Sequence, residues 1–424
     1  MKCLVIGSGA REHAITATLL RDSSVQSVHV APGNAGIEQI APCSPIDVSD
    51  PNAIADLAVR LGVHLVIIGP EVPLMAGAAD ALVSRGIPCF GPQKAAALIE
   101  GSKAFCKEIM NSAGIPTAQA LVCSTISDLE VALDSFGAPY VVKDDGLAAG
   151  KGVVVTEDRA AAIEHGRECI EAGHQVVIEE FLDGPEVSLF GISDGTTVIP
   201  MLPAQDFKRV GEGDSGPNTG GMGAYSPLPW VPESVVQEVT TRVLQPMATA
   251  LKERGTPFVG VLYAGLAMTS RGVRVIEFNA RFGDPETQVV LDQLLTPLGE
   301  FLFAAATGQL ASFPDLQWEQ GYSVTVVVAA EGYPANPRTG DPITGIEEAE
   351  DLGDLTVYHA GTREAQDGRL VSSGGRVLSV TAHAATLTAA RERALAGAAL
   401  IGLQGSHFRG DIAQRAAEGL IAIP

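Results

Sequence analysis

The sequence predicts an α/β chain: an N-terminal doubly wound parallel sheet, a central region of hairpins and glycine loops, and a C-terminal β-rich α+β part. Three observations predict it. Short apolar strands alternate with helices over the first hundred residues, the pattern that winds a parallel sheet on both faces. A lysine-bearing glycine stretch then falls between two strands, and from Tyr322 strands separated by Gly and Pro turns take over.

At 424 residues, 46% hydrophobic and 18% charged, the chain has room for several cores, about three domains by length. Twenty-eight Lys and Arg against 50 Asp and Glu leave a net charge of −22. That excludes a chain-wide footprint for nucleic acid or anionic membrane, so anionic ligands must be held by local cations. Cys3, Cys43, Cys89, Cys106, Cys123 and Cys169 form no C-x-x-C pair and read as small core residues in a reducing compartment. The apolar run after Met1 is too short for a secretory segment, and a soluble, cytoplasmic protein is expected.

Lys2 to Ile6 is a buried-type strand, and Gly7-Ser8-Gly9-Ala10-Arg11-Glu12-His13-Ala14 opens a helix whose N-terminus suits a small phosphate. Glu12 stands where a dinucleotide fold has its third glycine, and the second strand ends in Pro32-Gly33-Asn34-Ala35-Gly36 without an acid for a ribose. Both features argue against a nicotinamide oxidoreductase. Asp50 caps and Pro51 starts a helix through Arg60. Val63 to Ile68 is a strand ending at Gly69-Pro70-Glu71, a helix runs through Ser84, and Pro88 to Phe90 is the fourth strand. Ligands of such sheets sit at the carboxyl ends of the strands.

Lys103 lies at the start of a helix ending at Gly114. Pro139 to Lys143 and Val153 to Val155 are strands around Asp144-Asp145-Gly146-Leu147-Ala148-Ala149-Gly150-Lys151-Gly152, a hairpin whose backbone donors can cover phosphates. Val176 to Leu182 is a strand whose end can bond a planar heterocycle while Glu186 accepts from sugar hydroxyls. Asp206-Phe207-Lys208-Arg209 leads into Gly211 to Tyr225, too polar and glycine-rich to order itself well. A loop of that length in a compact chain is expected to be functional, with Lys208 and Arg209 as its cations.

Pro232 to Arg254 is helical, Phe258 to Met268 and Val273 to Asn279 are paired strands, and Thr287 to Thr307 is mostly helix. Alternation by two puts Glu277 and Asn279 on one face. A carboxylate and an amide oxygen there suit Mg²⁺ that shares its other positions with water and nucleotide phosphates. Arg281, two residues on, can meet a transferring phosphoryl group. The last region closes with a helix near Leu387 to Ile401. It carries His359-Ala360-Gly361-Thr362 with no chemistry assignable from the residues alone.

Lys103, Lys143, the loop Ala149-Gly150-Lys151-Gly152, Glu179 to Glu186 and Glu277-x-Asn279 follow one another as in ATP-grasp enzymes. Together with Gly-x-Gly-x-Arg-Glu-His-Ala, Pro-Gly-Asn-Ala-Gly, Gly-Pro-Glu, Gly-Pro-Asn-Thr-Gly-Gly-Met-Gly-Ala-Tyr and Arg-Phe-Gly-Asp-Pro-Glu-Thr-Gln, they give a chain that resembles the phosphoribosylamine–glycine ligase family from Met1 to about Asp411. The resemblance implies a substrate domain over 1–101, an ATP-grasp region over 102–320 with a small lid near 119–184, and a C-terminal domain over 321–424. It implies ATP-dependent joining of glycine to 5-phosphoribosylamine in purine biosynthesis through glycyl phosphate, with Mg²⁺ or Mn²⁺ as metal.

Carried over motif by motif, Lys103 and Lys143 are expected on the ATP phosphates, with Gly150, Lys151 and Gly152 covering them. Glu179, Glu180, Phe181 and Leu182 are expected around adenine and Glu186 on the ribose. Glu277 and Asn279 would hold the metal, and Arg281, Lys208 and Asp206 would serve the reacting groups. Asn218, Gly220 and Asp284, with Gly9, Arg11, Glu12, Asn34 and Glu71, would line the pocket for glycine and phosphoribosylamine. The partners are small molecules, without nucleic acid or membrane, and the chain is expected to be a monomer or weak homodimer. Three departures stand out: Asp144 for a common Ala after Lys143, Phe207 for a common His, and Ala10 for a glycine. Another ATP-grasp carboxylate–amine ligase of purine metabolism is the alternative. A scaffold without catalysis would not need Lys143, Glu277 and Asn279 together.

Overall fold

The computed structural model describes residues 1–146 and 152–424. Its first sheet is parallel, with Ser27–Pro32, Lys2–Gly7, Leu65–Ile68 and Cys89–Phe90 side by side in that order. Leu4, Ile6, Val66 and Ile68 are buried, as strands covered on both faces must be. The helix Pro51–Leu61 starts on Asp50, whose carboxylate accepts from the Asn52 and Ala53 amides, and ends at Gly62 with φ 61°. The helix expected to run through Ser84 is two, Glu71–Ala76 and Ala78–Ser84, because Gly77 at φ 97° breaks the turn.

A small antiparallel sheet follows, in the order Ala120–Cys123, Val176–Glu179, Tyr140–Asp144, Val153–Thr156. Helices Ile126–Phe136 and Arg159–Glu171 bury Leu129, Leu133 and Ala162 with Val142 and Ile178 of the sheet in a core of its own. A second antiparallel sheet, Val198–Pro200, Glu186–Asp194, Val259–Thr269 and Gly272–Asn279, forms the floor facing this lid. The stretch expected as helix from Thr287 to Thr307 is again split, into Glu286–Asp292 and Leu298–Ala306, with Pro297 capping the second piece.

The third sheet runs Gln205–Asp206, Gly223–Ser226, Tyr322–Ala329, Arg376–Ala384, Leu355–His359. Two of its strands come from either side of the glycine-rich segment, so the C-terminal β region is continuous with that segment. The segment itself is ordered, contrary to its composition: Arg209–Gly211 pairs with Ser215–Asn218. Helix Leu387–Leu400, capped by Thr386, packs on this sheet. Five of the six cysteines are buried and all are free thiols. Among the described residues, no helix is long and apolar enough to cross a membrane.

Candidate active site between lid and floor

The floor strand Gly272–Asn279 departs from regular pairing at one point. Gly265 pairs with Glu277 and Leu266 with Val275, so Ile276 is an extra residue, a β-bulge. The bulge turns the Ile276 carbonyl to the lid, where the Lys143 ammonium donates to it at 3.3 Å. Glu277 and Asn279 follow on one face of the strand. Four cations, Lys208, Lys143, Lys103 and Arg281, lie close enough to Glu277 to hold its carboxyl below the usual range against the opposing effect of burial. A buried carboxylate kept ionised, with an amide oxygen two residues on, fits a divalent cation that takes its remaining ligands from phosphate and water. Among the described residues, no cluster of three or more His, Cys, Asp or Glu would hold a metal unaided.

Lys143 is buried and also pairs with Glu179 at 3.0 Å; Lys107 meets the other Glu179 oxygen at 3.2 Å. Glu179, expected around adenine, has these two ammonium groups as its side-chain partners. Its side chain is clamped between them, and pairing from both sides offsets the cost of burying it. Its backbone is flanked by Ala120 and Val141. Glu180 pairs with Arg271 at 2.9 Å and accepts from the Gln119 amide, while Phe181 is exposed and Leu182 half-buried. Lys103 donates to the Gly146 carbonyl at 2.9 Å, and Asp145 caps the same helix through the Ala104 amide. Gly152 is buried and its carbonyl accepts from the Asp144 amide; Gly150 and Lys151 lie outside the described residues. Asp144 points away from Lys143 and meets His174 at 3.0 Å, as strand alternation requires.

Glu186, expected on a ribose, pairs with Lys208 at 2.5 Å. Asp206, on the strand just before Lys208, is pushed up to about 7 by burial, helped by Glu286, Glu186 and Glu277 and opposed by Lys208. Lys208 is raised: its burial works downward, but Asp206, Glu186 and Glu277 outweigh it. Phe207 does no acid–base work; its ring lies against Tyr225 and under the Arg409 guanidinium.

Arg281 is held by Glu100 at 3.1 Å and Glu71 at 3.6 Å and stays fully charged: burial opposes the charge and both carboxylates favour it. Arg11 donates to the Phe282 carbonyl at 2.9 Å and to Glu12 at 2.5 Å. Glu12, expected to line the substrate pocket, makes these contacts within the chain. It folds under the first turn, accepts from the Gly9 amide at 2.6 Å, and fills the space that a Cβ on Gly7 or Gly69 would need. Gly7 has φ 133°, so the turn needs glycine there for conformation as well. Ala10 is no obstacle, since it opens the helix Ala10–Arg21. Asn34 is likewise structural in its contacts: its amide donates to the Ser8 and His359 carbonyls and its oxygen accepts from the Gly36 and Ile37 amides.

Asp284 is kept below the usual carboxylate range, burial working against Arg376, Arg11 and Gln288. Arg376 binds the Gly220 and Asp284 carbonyls, each at 2.7 Å, and Tyr333 accepts from the Gly220 amide. Asn218 is half-buried opposite Arg209. Sequence reasoning missed Glu100, Lys107, Arg376 and the buried trio Ser188, Tyr263 and Glu286, in which both hydroxyls reach one Glu286 oxygen. Each is a lone residue far in sequence from its partners.

A lid sheet over a bulged floor strand, with Lys143 of the lid, Lys103, Lys208 and Arg281 converging on a carboxylate in the floor, defines an ATP-grasp ligase. A biotin carboxylase from Campylobacter jejuni shares that fold at a TM-score of 0.73 with 14% identity, covering 98% of this chain and 95% of that one. Family models described as the N domain, the ATP-grasp (A) domain and the C domain of phosphoribosylglycinamide synthetase match residues 1–100, 101–287 and 323–415. A phosphoribosylamine–glycine ligase from Streptomyces coelicolor is 60% identical over 98% of this chain and its own full length. One from Mycobacterium tuberculosis is 55% identical over the whole of both chains. The crystal structure of that enzyme from Thermotoga maritima superposes at a TM-score of 0.84 with 32% identity, covering 97% of this chain and 100% of that one. The chain belongs to the phosphoribosylglycinamide synthetase family.

Proposed function

We infer that this chain joins glycine to 5-phosphoribosylamine at the expense of ATP, giving glycinamide ribonucleotide, ADP and phosphate, a step of purine biosynthesis. The observation that carries the reading is the convergence of Lys103, Lys143, Lys208 and Arg281 on Glu277. Cations placed around a carboxylate suit a triphosphate and its metal, the cations meeting phosphate oxygens and the carboxylate meeting the metal. A glycine carboxylate is a poor electrophile until it is phosphorylated, and glycyl phosphate then offers phosphate as leaving group to the attacking amine.

In this reading Lys103 and Lys143 orient the ATP phosphates, Gly150, Lys151 and Gly152 cover them, and Glu179 to Leu182 offer the strand end for adenine. Glu186 reaches the ribose when Lys208 turns to substrate. Glu277 and Asn279 hold Mg²⁺ or Mn²⁺, which supplies charge neutralisation for phosphoryl transfer. Arg281, fixed by Glu71 and Glu100, faces the charge that develops on the acyl phosphate. Asp206 takes the proton released when the amine attacks, a task its raised pKa suits. Asn218, Gly220 and Asp284 hold substrate, and Gly9 and Arg11 line the same pocket, with Glu12 and Asn34 shaping it from behind. We assign the enzyme to the cytoplasm as a monomer or weak homodimer, and keep 1–101, 102–320 and 321–424 as its domains.

The test is ATP-dependent phosphate release with Mg²⁺, glycine and phosphoribosylamine generated in the assay, each omitted in turn. Release that needs all of them, with glycinamide ribonucleotide detected by mass, is expected. Release supported by another acid in place of glycine would refute the substrate assignment.

A further inference from the structure

The glycine-rich segment carries Lys208 into the site on a short hairpin of its own. That hairpin is tied down from the far end of the chain. Arg409 is buried to 1% exposure, and its guanidinium grips the segment on both sides of Lys208. It lies over the Phe207 ring, 5.1 Å from the centroid, and donates to the Arg209 carbonyl at 3.0 Å. The same nitrogen meets Asp214 at 2.9 Å, and the rest of the fork is taken by Asp411 at 2.8 and 2.7 Å. Asp411 accepts in turn from the Gly213 amide, and Glu212 from the Gly410 amide, each at 2.9 Å.

This anchor is itself tied down. Arg391, on helix Leu387–Leu400, donates to the Gly410 and Ile412 carbonyls at 2.5 and 3.0 Å. At the turn, Gly213 and Asp214 both sit in the left-handed region, at φ 64° and 54°. Asp is among the few side chains that tolerate that conformation, so Asp214 both shapes the turn and offers its carboxylate to Arg409. Thr219 completes the grip on Lys208, whose carbonyl accepts from the Thr219 amide at 2.7 Å and its hydroxyl at 2.8 Å.

We propose that Arg409 is the positioning residue for Lys208: by clamping Phe207, Arg209 and Asp214 to the C-terminal segment, it fixes where the Lys208 ammonium meets substrate. A flexible lysine on a free glycine loop would lose its orientation at each turnover. A planar fork with four fixed acceptors and a ring beneath it leaves the backbone at 207–209 one arrangement. The C-terminal region thereby takes part in catalysis without touching the reacting atoms. Lysine in place of arginine keeps the charge but cannot make the fork.

The test uses full-length Arg409→Lys and Asp214→Asn, the second preserving a residue that accepts the left-handed turn. Its kinetic arm rests on the functional reading above; its proteolytic arm does not. Limited trypsin digestion read by mass reports cleavage after Lys208 and Arg209. Cleavage there is expected to be slow in the unmodified enzyme, fast in Arg409→Lys and intermediate in Asp214→Asn. In step with it, kcat/KM for glycine should fall by about tenfold to a hundredfold in Arg409→Lys while the KM for ATP stays within about twofold. Unchanged cleavage at 208 and 209 in both variants would overturn the proposal. So would a loss shared equally by ATP and glycine that tracks a fall in melting temperature, the mark of a merely structural arginine. If the unmodified enzyme shows no glycine-dependent phosphate release, the functional reading fails, and the cleavage pattern still decides the clamp.

Discussion

Four cations lie near Glu277, so removing its carboxylate takes away the proposed metal ligand and an anion that those cations share. Glu277→Ala is expected to cut kcat by about a hundredfold or more, several times the loss that its effect on folding would explain. Thermal melting beside initial rates checks this; a collapse of the fold with specific activity of the folded fraction intact would defeat the metal assignment. Asp206 makes a second claim. A base must be ionised, so the rate should rise with pH through about 7, and Asp206→Asn should abolish that limb along with most activity. The same shift acts oppositely on stability: a carboxyl raised in the fold favours the native state in acid, and that contribution is lost as pH climbs to about 7. That Glu277 and Asn279 share a face was legible because side chains alternate along a strand. Glu100 and Arg376 were not, because a lone acid or arginine gains meaning only from partners such as Asp284, 92 residues from Arg376.

At the scale of elements, the lid is joined to the floor by a short chain of polar contacts. Lys107 donates to the Thr117 hydroxyl at 2.8 Å and the Ala118 carbonyl at 3.1 Å while pairing with Glu179. Thr117 passes the link to the Val275 carbonyl at 2.7 Å, next to the bulge that receives Lys143. Lys107→Met leaves Glu179 with one cation instead of two and orphans those acceptors. Breaking a buried pair from one side costs about 3 to 5 kcal/mol, so this variant should be strongly destabilised. Glu179→Gln alone strands both Lys107 and Lys143, so adding Lys107→Met to it removes one of two unpaired charges and should recover a substantial part of that variant's loss, which urea unfolding of both variants would measure. Equal destabilisation would mean that the pair carries no coupling. The lid strands were legible from their apolar runs and the lysine hairpin. The helix breaks at Gly77 and before Pro297 were not resolved in advance, because apolar periodicity continues across both. The glycine-rich segment was expected from its composition to order poorly; it pairs within itself and is tied down by Arg409 and Asp411, about 200 residues away, which composition cannot show.

Across the whole molecule, the N-terminal turn and the C-terminal sheet meet through two histidines whose motifs carried no reading alone. The His359 amide donates to His13 Nδ1 at 2.9 Å, and Asn34 donates to the His359 carbonyl at 2.8 Å. The fit is close: a Cβ on Gly36 would meet the His359 ring at 2.2 Å. His13 Nδ1 accepts a hydrogen bond, so it must be unprotonated. Burial, with His359 adding to it, lowers His13 to about 3, and burial lowers His359 to about 4. An unfolded histidine takes up its proton near 6.5, so between 6.5 and about 4 the unfolded chain binds more protons than the native one. Stability from this contact is therefore fully present above 6.5 and is lost as pH falls toward 4, on the order of 3 kcal/mol for His359 alone. Asp206 and Glu100, both raised by burial, tilt stability the other way over part of this window, but they do so in any variant that keeps them. The difference between proteins isolates His13, because His359 is kept in both. His13→Asn keeps an acceptor for the His359 amide without a titrating ring, so its urea midpoint should fall less than the parent's between pH 7.5 and 5. Parallel pH slopes in the two proteins would show that the joint between the chain's two ends is held by packing alone.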